Sequence, residues 1–212
     1  MTNSYVRCPR CGSTDTVPIL YGMPAMDEGL EKKIESGKIR LGGCCVTDAD
    51  VNGKHMIIDP QRHCNGCKRD FATPPVFYYG ETAFDYRDEV RTIHFRDGGF
   101  FQGYTDLVIK REQDGIIARH SGFDPLKDEA FEHRYVMPEK EWSQLLDDIF
   151  CTYYLHEWKR RYNSDILDGE QWSVTIALSI GHKRNYCGSN AFPAYWKDFQ
   201  KRMERIMDKC KP

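Results

Sequence analysis

The chain has 212 residues, of which 40% are hydrophobic and 29% charged, a composition that supports a folded core of one or two domains and excludes a disordered chain. Thirty basic residues against 32 acidic ones leave a formal net charge of −2, which excludes a strongly basic nucleic-acid binder and a polyacidic tail. No apolar run approaches the roughly 18 residues of a membrane span and no apolar signal segment is visible, so we expect a cytoplasmic protein without membrane contact.

Two Cys-x2-Cys turns mark the N-terminal third of the chain: Cys8 with Cys11, and Cys64 with Cys67. An odd total of nine cysteines, without a signal segment, argues against a disulfide framework and favours metal ligation in a reducing compartment. Four thiolates suit tetrahedral Zn2+ with bonds of about 2.3 Å, so we predict that these four residues hold a structural zinc ion. The alternatives are an unmetallated pair of turns, a redox dithiol and an iron–sulfur cluster.

Four further candidate ligands lie near these turns. His63 directly precedes the second cysteine pair and His55 lies nearby, but four cysteines already complete a tetrahedron, so we expect each histidine on the surface or behind the ligands. Cys44 and Cys45 are adjacent, and neighbouring side chains diverge in an extended strand. We therefore expect both to be small buried residues, with one of them near the metal as the alternative.

The long segment between the two cysteine pairs must fold as well. Met26, Leu30 and Ile34 repeat with the spacing of one helix face, and Gly37 can end that helix. Short strands are predicted at residues 39–41 and 56–58. Strands that bring both cysteine pairs together describe a zinc ribbon with a helical insertion, a module that we assign to residues 1–75.

Residues 76–212 are predicted to form an antiparallel-sheet domain with two main helices, which makes the whole chain α+β. The expected elements, in chain order, are strands 90–96, 105–111 and 116–120 with turns at Asp97-Gly98-Gly99 and Asp114-Gly115. The clearest strand covers residues 172–180, where apolar side chains alternate with small ones.

Two segments carry apolar residues at helical spacing. One helix is predicted to begin at Pro138, a residue that suits the first helical position. Its inward-facing residues are Trp142, Leu145, Leu146, Ile149 and Phe150. A last helix is predicted to open at Pro193, with Trp196, Phe199, Met203 and Ile206 facing inward.

Two signatures in this chain resemble known sequence families. The first comprises Cys8-x2-Cys11-Gly12-Ser13, the segment PILYGMP at 18–24, Gly37, Leu41-Gly42-Gly43-Cys44 and Cys64-x2-Cys67. It resembles a zinc-ribbon segment of uncharacterised bacterial proteins, and this resemblance implies metal binding and no known catalytic activity. The second comprises Asp168-Gly169-x-Gln171-Trp172 and Gly188-Ser189-Asn190-Ala191-Phe192-Pro193. It resembles a small α+β domain of bacterial proteins that are also uncharacterised.

One departure from the ribbon pattern concerns the second cysteine turn. Lys68 follows Cys67 where many ribbons carry glycine. This leaves the shape of the turn open, more than the presence of the metal.

The segment from Gly188 to Pro193 lies between a predicted strand and a predicted helix. A helix N-terminus offers free N–H groups and a positive dipole end, which can hold an anion. Arg184, Ser189 and Asn190 are therefore candidates for a phosphate or carboxylate site. The alternative is that Ser189 or Asn190 caps the helix and needs no ligand.

Two other constellations are interpreted as ordinary. Cys187 and His182 are five residues apart, and strand alternation can place them on different faces. Asp85, Asp88 and Glu89 form an acidic group of the kind that is usually scattered surface charge. Neither pattern requires catalysis.

These observations predict a non-enzymatic zinc-binding protein whose ribbon contacts another macromolecule, protein in preference to nucleic acid. One alternative is a small-ligand binder or enzyme that works from the C-terminal domain, around Arg184, Ser189 and Asn190. The other is a nucleic-acid binder, because five cations surround the cysteine pairs: Arg7, Arg10, Arg62, Lys68 and Arg69. Residues 1–75 contain ten basic and nine acidic residues, which weighs against that alternative.

Overall fold

The computed structural model describes residues 6–99, 103–124, 128–166 and 169–212. Within these ranges the chain is α+β, as predicted, with more strands than helices. The α-helices of the described residues are α1 (Glu28–Glu35), α2 (Tyr86–Glu89), α3 (Glu139–Asp147) and α4 (Trp196–Cys210). None of these helices has the length and apolar character needed to cross a membrane.

The strands of the described residues form three sheets. In chain order they are β1 (Thr16–Tyr21), β2 (Arg40–Gly43), β3 (Asp48–Val51), β4 (Lys54–Ile57), β5 (Arg62–Cys64), β6 (Asp70–Phe71), β7 (Val76–Tyr79), β8 (Thr82–Asp85), β9 (Val90–Gly99), β10 (Gly103–Glu112), β11 (Gly115–Asp124), β12 (Glu129–Met137), β13 (Arg161–Asn163), β14 (Glu170–Leu178) and β15 (Lys183–Ser189). The largest sheet has the order β12-β11-β10-β9-β14-β15-β13 and is antiparallel except between β13 and β15. The two four-stranded sheets have the orders β2-β1-β5-β6 and β4-β3-β8-β7.

One face of the seven-stranded sheet carries the main hydrophobic core. Along β14, Trp172, Val174, Ile176 and Leu178 are all buried, which confirms the predicted alternation. The register places Val174 opposite Phe95 of β9, so that neighbouring strands contribute to the same apolar layer. The intervening side chains of β14 point to the other face.

The two predicted amphipathic helices cover this buried face. α3 and the π-helical turn that follows it (Asp148–Thr152) bury the predicted apolar set, Trp142, Leu145, Leu146, Ile149 and Phe150. α4 buries Trp196, Phe199, Met203 and Ile206, also as predicted. Both helices begin later than expected: Pro138 is the N-cap of α3, and α4 begins three residues after Pro193. Both helices contact β11 on the core side, and the opposite face of the sheet stays open in the described part of the chain.

The segment Asp97-Gly98-Gly99 was predicted as a turn, and that prediction is wrong because β9 continues through Gly99. Glycine is needed here because the backbone of the neighbouring strand approaches closely. A Cβ on Gly98 would lie 2.1 Å from the carbonyl oxygen of Gly103 on the neighbouring strand. The predicted turn at residues 114–115 is confirmed, since β10 ends just before it and β11 begins within it.

The second sequence signature builds the connection between β15 and α4. Asn190 adopts a left-handed backbone conformation with φ 52°, and its Oδ1 accepts a hydrogen bond of 3.0 Å from the backbone N–H of Glu170. The indole Nε1 of Trp172 donates to the carbonyl oxygen of Ala191 at 3.0 Å. A Cβ on Gly188 would lie 2.3 Å from that same Nε1. These signature residues therefore meet packing requirements of the fold.

The strands that join the two cysteine pairs are not the ones expected from the sequence. The predicted strand at 39–41 corresponds to β2, which extends the metal-side sheet by parallel pairing with β1. The predicted strand at 56–58 corresponds to β4, which pairs with β3 in a different sheet. The pairing of β1 with β5 brings the cysteine pairs together, with Thr16 opposite Cys64. Both strands are too short to show a clear alternation in the sequence.

Helix α1 is present where it was predicted, but none of its residues is buried. Asp27 caps it, because its Oδ1 accepts a 2.7 Å hydrogen bond from the backbone N–H of Leu30. Met26, just before the helix, is 54% exposed, while Leu30 and Ile34 are half-buried. The apolar stripe of the insertion is thus left partly open to solvent.

The two predicted segments share a sheet. Strand β3 of the first segment pairs in parallel with β8 of the second, with Val51 opposite Ala83. The hydroxyl of Tyr195 in the second segment donates a 2.7 Å hydrogen bond to the carbonyl oxygen of Arg7 in the first. Strand pairing and side-chain contacts therefore both connect the cysteine-bearing segment to the large sheet.

A buried histidine lies within this contact. The side chain of His156 is 6% exposed, and its Nε2 is 3.1 Å from the carbonyl oxygen of Thr73. Its Nδ1 has no hydrogen-bond partner among the described residues. Burial lowers the pKa of His156 to about 4, because the imidazolium form would lose its hydration.

This pKa predicts a specific acid sensitivity. The unfolded chain gains a proton at His156 near pH 6.5, whereas the folded chain resists protonation down to about pH 4. The contribution of His156 to stability is therefore present above pH 6.5 and is lost as the pH falls toward 4, by about 3 kcal/mol in total. The free energy of unfolding can be measured with urea for the wild type and for His156→Gln at several pH values. We expect the difference in this free energy between the two proteins to change between pH 6.5 and pH 4. Parallel pH profiles for the two proteins would contradict the assignment.

Candidate metal centre

Two cysteine turns face each other at one end of the β1–β5 pairing. The first turn (residues 8–11) precedes β1, and the second turn (residues 64–67) begins at the last residue of β5. Cys8 and Cys64 are completely buried, Cys67 is half-buried and Cys11 is exposed. The centre therefore has an inner side within the protein and an outer side toward solvent.

The two turns have the same backbone hydrogen bonds. In the first turn the N–H of Cys8 donates to Ser13 and the N–H of Gly12 donates to Cys8, both at 2.9 Å. In the second turn the N–H of Cys64 donates to the carbonyl of residue 69 at 2.9 Å, and that of Lys68 donates to Cys64 at 2.8 Å. The positions along each turn correspond one to one. The sequence spacing thus encodes two copies of one local structure.

The position after each turn needs a left-handed backbone. Gly12 has φ 77° and Lys68 has φ 58°. Glycine adopts this conformation without a steric cost, whereas a side-chain-bearing residue pays about 1 kcal/mol or more. The departure from the ribbon pattern at Lys68 therefore leaves the shape of the turn unchanged and adds local strain.

The four sulfur atoms are arranged as ligands of one ion. The Sγ atoms of Cys8 and Cys67 are 3.7 Å apart, and those of Cys11 and Cys64 are 3.6 Å apart. All four lie within 4.8 Å of one another. A tetrahedral ion with metal–sulfur bonds of about 2.3 Å would separate its ligands by about 3.8 Å. The four cysteines predicted from spacing therefore form a group that could hold a metal ion.

The thiols of this group have divergent proton affinities. Burial raises the pKa of Cys8 to about 12. Burial also acts upward at Cys64, but hydrogen bonds from the backbone N–H of Cys67 and from the neighbouring thiols outweigh it and lower the pKa of Cys64 to about 7. Four thiolates this close together need a cation to be charged at once, which is the chemistry that a divalent metal supplies.

His63 is not one of the grouped ligands, as expected, but it is buried instead of lying on the surface. Its Nδ1 is 2.6 Å from Oδ1 of Asp70, and the side chain of Arg40 lies against both. Sequence analysis missed Asp70 and Arg40, because they come from β6 and β2 and no spacing relates them. They hold the residue next to Cys64 in place.

Cys44 and Cys45 are both exposed, so the prediction that they are buried is wrong. Their sulfur atoms are 3.5 Å apart and neither belongs to the four-cysteine group. The two cysteines follow β2, an edge strand whose residues are all exposed, so no buried face continues into them.

The candidate anion residues are not brought together. Arg184 and Ser189 lie on β15 five residues apart, which places their side chains on opposite faces and about 16 Å apart along the strand. Asn190 is occupied in fixing the start of β14. The N-cap of α4 is Tyr195, so neither Ser189 nor Asn190 caps that helix. Ser189 alone of the three faces the open side of the sheet beside β13 and β14.

Cys187 and His182 do not form a catalytic pair. The Cys187 sulfur lies 3.9 Å from the carbonyl oxygen of Arg160, whereas the His182 ring contacts Tyr79 edge-on at 4.9 Å. The two side chains therefore have different partners.

The acidic group also has structural partners. Asp85 is buried and forms a 2.6 Å ion pair with Arg87, which also reaches Asp147 at 3.0 Å. Asp88 accepts a hydrogen bond from the amide of Asn52. One member of the group is thus a buried structural carboxylate and not scattered surface charge.

No family model, no curated protein and no solved structure matches the chain. The two resemblances therefore remain predictions, and Asp168 of the second signature lies outside the described residues.

The symmetry of the turns predicts opposite effects of two substitutions. Lys68→Gly should increase the free energy of unfolding of the zinc-loaded protein by up to about 1 kcal/mol, because it removes strain at a left-handed position. Gly12→Ala should decrease it by about 1 kcal/mol, because the added Cβ would meet only Ala194, at 3.9 Å, and the cost is conformational.

Urea unfolding with equimolar zinc measures both effects. Lys68→Ala is the matched control, since it removes the lysine side chain and keeps the strain. Equal stability of the glycine and alanine variants at position 68 would contradict the explanation.

Proposed function

We propose that Cys8, Cys11, Cys64 and Cys67 hold one structural Zn2+ and that this ion closes a zinc ribbon with a helical insertion. The observation that carries the proposal is the group of four sulfur atoms, whose separations of 3.6 and 3.7 Å suit one tetrahedral ion. Four protein ligands leave no open position for water or substrate, which favours a structural role over a catalytic one.

The small core beneath the cysteines supports this role. Its buried members are Cys8, Cys64, Phe71 and Ala72. A cluster of this size cannot offset the conformational entropy of ordering the surrounding chain. A metal ion that cross-links the two turns would supply the missing stabilisation.

Removing one ligand tests the zinc site. We expect one zinc per chain in the wild type by metal analysis and native mass spectrometry. Cys64→Ala should lose the metal and lower the melting temperature, because Cys64 lies at the junction of β5 and the second turn. Cys187→Ala, which alters an exposed cysteine outside the group, is the control and should keep both properties. Unchanged zinc content and melting in Cys64→Ala, or a bound iron–sulfur cluster, would overturn the proposal.

We also propose that the ribbon insertion is a protein-contact surface. Of the eleven large hydrophobic residues that are exposed in the described part of the chain, five lie in the insertion between the two cysteine pairs. They are Met23, Met26, Leu41, Val46 and Ile57. Exposed apolar side chains concentrated in one segment are typical of an interaction site, whereas single ones need no explanation.

Protein purified from its own host without chelators tests the contact. We expect a second polypeptide, or a second copy of this chain, in native mass spectra of the wild type. Met23→Ser with Ile57→Ser should lose it, because both residues are more than half exposed within this segment. Val136→Ser is the matched control, since Val136 is 61% exposed on the large sheet. Equal behaviour of the two variants would contradict a contact through the insertion.

One observation keeps nucleic acid as a second candidate partner. The cations around the cysteine turns, Arg7, Arg10, Arg62, Lys68 and Arg69, form no ion pair with any residue that the structure describes. Unpaired cations can contact phosphates, and such binding weakens steeply with salt. A nuclease-sensitive, salt-sensitive component in the same native preparations would favour this candidate over a protein partner.

A further inference from the structure

The open face of the seven-stranded sheet contains a cleft that is separate from the candidate metal centre. We call it the sheet-face cleft, and its volume is about 510 Å3. Its lining residues come from β9, β10, β13, β14 and β15: Arg96, Tyr104, Asn163, Gln171, Trp172, Ser173, Cys187, Gly188 and Ser189. This volume lies in the usual range for small-molecule sites, roughly 300–1,000 Å3.

One row of the strand register forms the first wall of the cleft. Tyr104 of β10 and Gln171 of β14 both lie opposite Gly98 of β9. The Tyr104 hydroxyl donates a 3.1 Å hydrogen bond to Oε1 of Gln171. Ser189 extends the same row, since it lies opposite Gln171.

The next row of paired residues along the strands contributes the positive charge of the cleft. Arg96 lies opposite Ser173, and Ser173 lies opposite Cys187. The guanidinium carbon of Arg96 is 4.6 Å from the centre of the Tyr104 ring, a stacking contact that fixes the side chain beside the cleft. Stacking uses the face of the guanidinium and leaves its N–H edge available for hydrogen bonds.

Among the described residues, Arg96 forms one long ion pair. Its guanidinium lies 4.0 Å from a carboxylate oxygen of Asp106, and the other oxygen of Asp106 lies 2.7 Å from Nε2 of His94. The described residues that line the cleft include no aspartate or glutamate. Arg96 is therefore the one charged residue in the lining of the cleft, with a single long ion pair and neutral hydrogen-bonding neighbours.

A second cleft of similar size, beside α2 and α3, is different. There Arg87 is bound to Asp85 and Asp147, and Arg111 is bound to Glu139. Four basic residues line that cleft together with four acidic ones, so its lining has no net charge. The sheet-face cleft has one arginine and no carboxylate in its lining.

We propose that the sheet-face cleft binds a small organic anion. One phosphate or carboxylate group pairs with the guanidinium of Arg96, the geometry that arginine offers to both groups. The amides of Gln171 and Asn163 and the hydroxyls of Ser173 and Ser189 bind the uncharged part of the molecule. This site goes beyond the proposed zinc and protein-contact functions. It includes Ser189, which was predicted as an anion-binding residue, and its cation is Arg96 instead of the predicted Arg184.

Titration of the full, zinc-loaded chain with three probes tests the proposal: AMP for a phosphate ester, succinate for a carboxylate, and adenosine as the uncharged comparison. Binding is followed by backbone NMR shifts. We expect AMP or succinate to shift the amides around Gly98, Gln171 and Ser189, and adenosine to bind more weakly than AMP. AMP alone identifies a phosphate ester, and succinate alone a carboxylate. Absence of binding by both anions at millimolar concentration would overturn the proposal.

Variants separate the site from general attraction to a charged surface. Arg96→Gln should weaken binding by about 10- to 100-fold, since a charged hydrogen bond is lost. Arg134→Gln removes an exposed arginine on β12, outside the cleft, and should leave affinity unchanged. Gln171→Ala should weaken binding by about 2- to 10-fold. This second variant tests the site independently if Arg96→Gln does not fold. Equal losses for Arg96→Gln and Arg134→Gln, or no loss in either, would contradict the site.

Discussion

Strand β1 pairs with β5 only from Thr16 to Pro18, and the position of every sulfur in the candidate metal centre depends on that short ladder. Each cysteine turn is shaped by its own backbone hydrogen bonds, so each can form locally. Neither turn specifies where the other lies. The ladder sets their relation, and an ion bound by both turns would in return hold the ladder closed. Metal binding and folding of this segment are in that sense one process.

The rest of the chain does not need such a cross-link. The seven-stranded sheet and its two covering helices share one continuous core that extends from Phe77 to Cys210. The cysteine-bearing segment has a separate core of four buried residues, and it joins the large one mainly through Phe71, Tyr154 and the β3–β8 pairing. Stability is therefore concentrated in the C-terminal part. The insertion lies at the opposite extreme, because it has exposed apolar side chains and a helix without a fully buried residue.

The two faces of the large sheet differ in composition and in what covers them. Its buried face carries the main apolar core and is covered by α3 and α4. Its open face carries the alternate residues of each strand, such as Gln171, Ser173 and Thr175 of β14, because the strand period assigns them to that side. Tyr104, Gln171 and Arg96 converge on this face at the sheet-face cleft.

Sequence alone determined those features in which the residues that act together are close in the chain. The cysteine spacing encodes each turn, the alternation from Trp172 to Leu178 encodes a strand, and the apolar faces of α3 and α4 encode their burial. Each of these follows from a local period or a fixed spacing. The helix boundaries near Pro138 and Pro193 shifted by one to three residues, because proline restricts its own backbone without deciding where the first helical hydrogen bond forms.

Tertiary structure decided everything that required partners from distant segments. The pairing of β1 with β5, the contact of His63 with Asp70 and Arg40, and the exposure of Cys44 and Cys45 depend on which strands become neighbours. Asp97-Gly98-Gly99 has the composition of a turn, and only the approach of Gly103 on the next strand shows why glycine is required within β9. Arg184 and Ser189 are close in sequence, yet strand alternation sends them to opposite faces, while Arg96 and Ser189 line one cleft. Spacing along the chain fixes local geometry. Which strands become neighbours depends on the burial of apolar residues summed over the whole core, and no short segment carries that information.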